Sequence, residues 1–267
     1  MAFELAIVVP TLNESENIAC LIDRLEVALV GIHYEVIVVD DDSPDQTAAV
    51  VLRLARGREN LRVLQRIGRR GLSSACTEGI LASNAPVVAV IDADMQHDER
   101  VLPEMLRRLR EEQLDLVVGS RNIAGGGMAG LAKGRVWLSH LGRLLSRICA
   151  AHQLSDPMSG FFMIRFEAFE EIAQRLSGVG FKILLDIVSS AGPHLRIGEV
   201  PYQFRNRAHG ESKLGCMVGL EYLYLLFDKR WGRWQMSKNN AAASIPAKEK
   251  EIRVILVQRH ALLAGLI

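Results

Sequence analysis

Several features that would mark a secreted, membrane-spanning or nucleic-acid-binding protein are scarce in this sequence. Its 267 residues contain four cysteines (Cys20, Cys76, Cys149 and Cys216), far apart and without a C-x-x-C pair. That argues against a disulfide framework or a zinc site and for reduced core thiols in a cytosolic chain. No uninterrupted apolar run reaches the roughly 20 residues a spanning helix needs. The N-terminus opens directly into Phe3-Glu4-Leu5-Ala6-Ile7-Val8-Val9, without the basic region and apolar core of a secretion signal. Charge of one sign is also lacking. Lys+Arg 32 against Asp+Glu 31 leaves a net charge of +1, so nucleic acid is not an expected partner. The exit of the first apolar run carries neither G-x-G-x-x-G nor G-x-x-x-x-G-K-[ST], which leaves a Rossmann dinucleotide site and a P-loop unsupported.

What the sequence does have is alternation. Short β-branched runs at 5–9, 35–39, 61–64, 87–91 and 114–119 alternate with helix-period segments at 17–29, 47–55, 72–82 and 103–110. This is the pattern of a mostly parallel sheet wrapped by helices, and a 49% hydrophobic content is ample for its core. The second half is less regular. After a turn at Gly125-Gly126-Gly127, an amphipathic helix is expected over 131–151. It carries Val136, Trp137, Leu141, Leu144, Leu145 and Ile148 broadly on one side, and Lys133, Arg135, Arg143 and Arg147 mostly elsewhere. Residues 155–213 read as turns with short strands and a helix. An apolar, aromatic stretch over 214–234 ends in Lys229-Arg230-Trp231-Gly232-Arg233-Trp234. Residues 235–250 read as a polar, disordered linker, and 252–267 as an apolar tail too short to span.

The strongest chemical signal is Asp92-Ala93-Asp94-Met95-Gln96-His97 at the exit of the most hydrophobic run. Were the chain still extended there, residues two apart would share a face, bringing Asp92, Asp94 and Gln96 together. Ligands of open α/β sheets bind at the carboxyl ends of the strands. Two carboxylates there suit Mg²⁺ or Mn²⁺, completed by substrate phosphates. The plainer alternative is that Asp92 and Asp94 cap the next helix.

A second acidic group, Asp40-Asp41-Asp42-Ser43-Pro44-Asp45, follows the second run. One carboxylate would suffice as a cap; three adjacent ones repel unless donors approach, and nucleobase N–H groups and ribose hydroxyls are such donors. The first run ends in Pro10-Thr11-Leu12-Asn13-Glu14, again polar at a carboxyl end. A basic group holds Arg205, Arg207, Gly210, Ser212 and Lys213. It reads as a phosphate site or simply as a charged surface loop. Arg121 and Arg135, flanking the glycine turn, add charge for a second phosphate.

Taken in order, these motifs and Gly210-Glu211-Ser212-Lys213 resemble the polyprenyl-phosphate glycosyltransferases, the dolichol-phosphate mannosyltransferase-like members of the family 2 glycosyltransferases. The resemblance covers residues 3 to 230, and Asp156-Pro157-Met158-Ser159-Gly160-Phe161-Phe162 is similar to the family's acceptor-side segment. It implies a GT-A, Rossmann-like α/β fold over residues 1–230 with C-terminal amphipathic or interfacial helices, and a linker and short tail over 231–267. It also implies inverting transfer of mannose or glucose from GDP-mannose or UDP-glucose to a polyprenyl phosphate, with Mg²⁺ or Mn²⁺ as cofactor. Nucleotide-sugar contacts would come from Pro10, Leu12, Asn13, Glu14, Asp40, Asp42, Asp92, Ala93, Asp94, Gln96, Arg207 and Lys213. Asp92, Asp94 and Gln96 would hold the metal. Arg121, Arg135, Ser159 and Gly160 would face the acceptor, and Arg121, Arg135, Arg207 and Lys213 would grip phosphates.

The sequence departs from the family at Gln46, where a glycine is common, and in its tail. Residues 252–267 read as a truncated or frameshifted membrane region or as an interfacial anchor. A lipid-linked acceptor implies peripheral attachment at the cytoplasmic face of a membrane. The run 229–234 and the helix 131–151 are the candidates for that contact, with packing on the domain's own surface as the alternative. Two other functions stay open: a family 2 transferase acting on a saccharide hydroxyl, for which Asp156 is the candidate base, and a non-catalytic nucleotide-sugar-binding domain.

Overall fold

The computed structural model describes residues 2–128, 154–178 and 182–205. The strands are β1 (Leu5–Thr11), β2 (Tyr34–Asp40), β3 (Leu61–Gln65), β4 (Val87–Val90), β5 (Leu116–Ser120), β6 (Gly127–Met128), β7 (Phe162–Arg165), β8 (Ile197–Pro201) and β9 (Gln203–Phe204). The helices are α1 (Ile18–Ala28), α2 (Thr47–Leu54), α3 (Leu72–Leu81), α4 (Leu102–Glu111), α5 (Phe166–Ala173) and α6 (Ile183–Ala191). Seven strands form one sheet in the order β3-β2-β1-β4-β7-β5-β8, and β6 pairs with β9 in a short parallel ladder.

The central strands are predominantly apolar because helices cover both faces of the sheet. In β1 the side chains alternate. Leu5, Ile7 and Val9 pack with Ile18, Leu21, Leu25 and Met105 on one face, while Ala6 and Val8 pack with Cys76, Ile80, Phe169 and Ile187 on the other. Cys76 is thus a core thiol, whereas Cys20 is exposed on α1. Helix α3 approaches the sheet closely at Gly79, where an added Cβ would lie 2.5 Å from Val8 Cγ1.

Two features of topology place the site. The order reverses at β1, which has β2 on one side and β4 on the other, all parallel. The loops after β1, β2 and β4 therefore open at one edge, where such sheets bind ligands. Strand β7 is antiparallel, with Phe162 opposite both Val90 and Val118. An inserted antiparallel strand begins where its parallel neighbours end, so residues 154–161 also stand at that edge. The alternation read from sequence matches the elements up to β5, but the reversed β7 was not anticipated. The expected helix 131–151, the segment 206–234 and residues 235–267 lie outside the described residues.

Candidate active site at the carboxyl edge of the sheet

The first two loops are bonded together. The backbone N–H groups of Asn13, Glu14 and Ser15 donate to Ser43 Oγ (3.0 Å), Thr47 Oγ1 (3.0 Å) and Asp45 Oδ2 (2.9 Å). Burial opposes the charge of Asp45, yet the hydrogen bonds from Thr47 and Ser15 outweigh it and hold its carboxyl below the usual range. Pro10 is buried inside β1, and Leu12 and Glu14 are half-buried, whereas Asn13 is exposed with a left-handed φ of 55°.

The three adjacent carboxylates at the end of β2 find most of their donors inside the chain. Asp40 is fully buried, and its oxygens accept from Thr11 Oγ1 (3.0 Å), Ser43 Oγ (2.6 Å) and the Ser43 N–H (3.0 Å). Asp41 pairs with buried Arg66 at 2.5 Å and accepts the Gly71 N–H at 2.7 Å, which ties the start of α3 to the end of β2. Asp42, half-buried at φ 55°, receives Gln65 Nε2 at 3.3 Å. The repulsion that pointed to nucleotide donors is therefore relieved by protein groups at Asp40 and Asp41. Asp42 is the member of the three left partly open to solvent.

After β4 the chain turns rather than extending, with Met95 at φ 66°, so strand alternation does not bring the acidic motif together. Local hydrogen bonds shape it instead. Asp94 Oδ1 accepts the Gln96 N–H at 3.1 Å, and the Asp92 N–H donates to His97 Nδ1 at 3.2 Å. The capping role falls to Asp98, whose side chain accepts the Arg100 N–H at the head of the 3-10 turn Glu99–Val101. Ala93 is buried, and Asp94 is 7% exposed, more enclosed than Asp92 beside it.

His97 stacks on Phe161 at 5.2 Å and meets the edges of Tyr202 and Phe204. Burial pushes its pKa down to about 4 against the pull of Asp94. The neutral ring accepts at Nδ1, so its proton sits on Nε2, 3.8 Å from Asp92 Oδ2. The sequence motif includes His97 but does not indicate its role. Its aromatic neighbours are distant in sequence, and nothing local announced them.

The acceptor-side residues arrive through β5 and the approach to β7. Arg121 donates twice to Asp156, from Nε at 2.6 Å and Nη2 at 2.8 Å, and lies over the Phe204 ring at 5.1 Å. Burial works against the Arg121 charge, and the Asp156 pair more than offsets it, raising its pKa. Ser159 Oγ donates to the Gly119 carbonyl at 2.8 Å. Gly160 abuts the acidic motif; a Cβ there would lie 3.0 Å from Asp92 Oδ2. Lys182, which precedes α6 and drew no notice in the sequence, is in electrostatic reach of Arg121, Asp92 and Asp156. Burial and the Arg121 charge lower its pKa.

Arg205 does not face outward as a phosphate ligand. Its guanidinium binds Glu99 (3.0 Å) and Asp98 (2.7 Å) within the chain. Arg135, Arg207 and Lys213 lie outside the described residues.

Among the described residues, no three His, Cys, Asp or Glu side chains form a metal site by themselves. The donor set that is present fits a hard divalent ion in another way. Gln96 Nε2 donates to the Arg205 carbonyl at 3.2 Å, so the amide nitrogen is engaged there and the oxygen is the Gln96 atom able to act as a metal ligand. Mg²⁺ and Mn²⁺ commonly use one or two carboxylates and take their remaining ligands from water and substrate phosphates.

The mostly parallel sheet with its acidic motif at the carboxyl edge has the GT-A arrangement of its solved fold neighbours, and the chain belongs to glycosyl transferase family 2, whose model matches residues 6–173. Within that family it is 36% identical over 234 residues to a dolichol-phosphate mannosyltransferase of Pyrococcus furiosus, covering 87% of this chain but only 64% of that longer protein. It is 33% identical over 238 residues to the dolichol-phosphate mannosyltransferase of Saccharomyces cerevisiae, covering 85% of this chain and 86% of the other. Its fold matches glucosyl-3-phosphoglycerate synthase from Mycobacterium tuberculosis, solved with Mn²⁺, UDP and glucosyl-3-phosphoglycerate. The TM-score is 0.62 at 22% identity, over 86% of this chain and 80% of that one. Mannosyl-3-phosphoglycerate synthase from Rubrobacter xylanophilus matches with a TM-score of 0.62 at 17% identity, over 90% and 77% of the two chains.

Proposed function

We propose that this chain transfers a hexose, mannose from GDP-mannose in the first instance, onto a polyprenyl phosphate at a membrane surface, with inversion at the sugar carbon. The observation that carries this reading is the Arg121–Asp156 pair. Asp156 is 1% exposed, and both its oxygens are engaged by Arg121. Activating a saccharide hydroxyl requires a carboxylate oxygen that can reach the hydroxyl, and both Asp156 oxygens are turned to Arg121. A phosphate acceptor is already ionised near neutral pH and needs positioning and charge balance rather than a base. The mannosyltransferase relatives support mannose as the sugar and dolichol phosphate as the acceptor type.

In this reading an acceptor phosphate oxygen attacks the anomeric carbon from the side opposite the leaving group. The carbon–oxygen bond to the diphosphate breaks, and the electron pair leaves with the nucleoside diphosphate. Asn13, Glu14 and Asp42 border the nucleotide side. Lys182 brings positive charge to the acceptor side, where Arg121 is paired with Asp156. Asp92, Asp94 and the Gln96 amide oxygen would hold a divalent ion, whose bound charge offsets that developing on the diphosphate; the Mn²⁺-bound fold neighbour supports such an ion. We take residues 1–230 as the transferase domain and 231–267 as a linker with a short apolar tail.

The test is transfer of labelled sugar from GDP-mannose and, separately, UDP-glucose to undecaprenyl phosphate in detergent with Mn²⁺. Label from GDP-mannose is expected in the lipid phase and lost on adding EDTA. Transfer from UDP-glucose alone overturns the mannose assignment, and no transfer from either donor by folded, nucleotide-binding protein overturns the reaction class.

A further inference from the structure

Arg205 contacts the acidic loop at three residues, Gln96, Asp98 and Glu99, in ways the transfer reaction does not by itself require. Its backbone N–H donates to the Gln96 carbonyl at 2.9 Å. Its own carbonyl accepts Gln96 Nε2 at 3.2 Å. Its guanidinium spans the next two side chains, Glu99 at 3.0 Å and Asp98 at 2.7 Å, both buried. His97, which lies between Gln96 and Asp98, packs instead against Phe204, the residue before Arg205.

These bonds have a consequence for Gln96. A primary amide presents an oxygen and a nitrogen that are nearly equal in size, and only a hydrogen-bond partner decides which faces where. A carbonyl accepts and cannot donate, so the Arg205 carbonyl selects the nitrogen. The Gln96 oxygen is thereby turned away from Arg205. The Gln96 N–H meanwhile donates to Asp94 Oδ1 at 3.1 Å, so the same residue orients the more enclosed carboxylate of the motif. The guanidinium makes this grip rigid. Two carboxylates side by side, Asp98 and Glu99, would repel each other without a cation between them, and a planar fork reaches both where an ammonium reaches one. Arg100 neutralises Asp98 from the solvent side, and burial of Asp98 is outweighed by the bonds from Arg100, with Arg205 adding to them, so its carboxyl stays below the usual range.

We propose that Arg205 is a positioning residue for the divalent-ion site. It fixes the amide orientation of Gln96 and the shape of residues 96–99, and so joins the strand carrying the basic segment to the acidic motif. The inference rests on the metal reading of the preceding section but not on the identity of sugar or acceptor. It assigns Arg205 a role other than the phosphate contact that its basic neighbourhood suggested.

The test uses the full chain in detergent with GDP present and reads Mn²⁺ affinity by electron paramagnetic resonance. Partners that orient metal ligands typically change affinity by about 10- to 100-fold when removed. Arg205→Met is expected to weaken Mn²⁺ binding at least about tenfold, Gln96→Ala to weaken it similarly, and the double variant to bind no more weakly than Gln96→Ala alone. Arg205→Lys, which keeps the stem and charge but not the fork, should fall between wild type and Arg205→Met, and it serves if Arg205→Met does not fold. Hydrogen exchange gives a metal-free readout: residues 92–100 should exchange faster in both Arg205 variants while β1, β2 and β4 keep their protection. Unchanged Mn²⁺ affinity with unchanged exchange overturns the proposal, as does an additive double variant. Wild-type protein that binds no Mn²⁺ with GDP overturns it together with the metal reading. Intact Mn²⁺ binding without sugar transfer overturns only the choice of reaction.

Discussion

Arg121 and Asp156 face each other through two side-chain hydrogen bonds, 2.6 Å and 2.8 Å long, and a third from the Arg121 backbone N–H at 3.3 Å, with Asp156 almost wholly buried. A buried ion pair stripped of one partner leaves an uncompensated charge, which typically costs about 3–5 kcal/mol. Asp156→Asn and Arg121→Met should each lower the unfolding free energy by about 3 kcal/mol in urea titrations, and the double variant should lose clearly less than the sum. Additive losses would mean that the pair is not coupled as described.

Gly160→Ala tests how closely the acceptor segment abuts the acidic motif. The new methyl would lie 3.0 Å from Asp92 Oδ2 and 3.5 Å from His97 Cε1, so the Asp92 carboxylate must move by a few tenths of an ångström. Transfer should fall, with the Mn²⁺ concentration for half-maximal rate rising, while the melting temperature changes by no more than a few degrees. Wild-type metal dependence in this variant would place Gly160 farther from the site.

His97 gives a pH signature of folding. Its pKa is held at about 4 in the folded protein against 6.5 for a free histidine, so the unfolded chain binds a proton first as pH falls. Stability contributed by the neutral ring is complete above about pH 6.5 and is lost as pH drops toward 4, with a limiting slope of about 1.4 kcal/mol per pH unit. In metal-free protein, His97→Phe should flatten the fall in stability between pH 6.5 and pH 4. An identical fall in wild type and variant would show that His97 takes up its proton at the same pH in the folded and the unfolded chain.

Gln46 occupies a left-handed conformation, φ 66° and ψ 28°, at the head of α2. Such a backbone costs most residues about 1–2 kcal/mol but glycine little, partly offset by the greater freedom of glycine in the unfolded chain. Gln46→Gly should leave the melting temperature equal or slightly higher. A fall of several degrees would mean that the Gln46 side chain makes contacts that outweigh its strain.

The limits of the sequence reading follow from distance along the chain. Strands β1 to β5 were legible because buried parallel strands are continuous apolar runs and their helices carry a 3.6-residue period. Strand β7 was not, since four residues, Phe162–Arg165, reveal neither partner nor direction. That reversal is what brings Asp156 and Gly160 to the acidic motif. Asp92, Asp94 and Gln96 stood out by residue type and position after β4, but the argument from strand alternation failed because Met95 turns the chain. Asp40 and Arg205 looked like ligand contacts because charge is visible in a sequence and its internal partners are not: Thr11 and Ser43 for the first, Asp98 and Glu99 for the second. Lys182 sits in an apolar stretch and His97 in the acidic motif, and the partners that define each come from elsewhere in the fold.

The central claim is that the acceptor supplies its own ionised oxygen because Asp156 is committed to Arg121. The direct measurement compares initial rates of labelled-mannose transfer from GDP-mannose to undecaprenyl phosphate and to undecaprenol of the same chain length, in the same detergent with Mn²⁺. Label should enter the phosphate acceptor and remain at background with the alcohol. Comparable transfer to the alcohol would contradict the account, since it would require a base that Asp156, as paired here, does not provide.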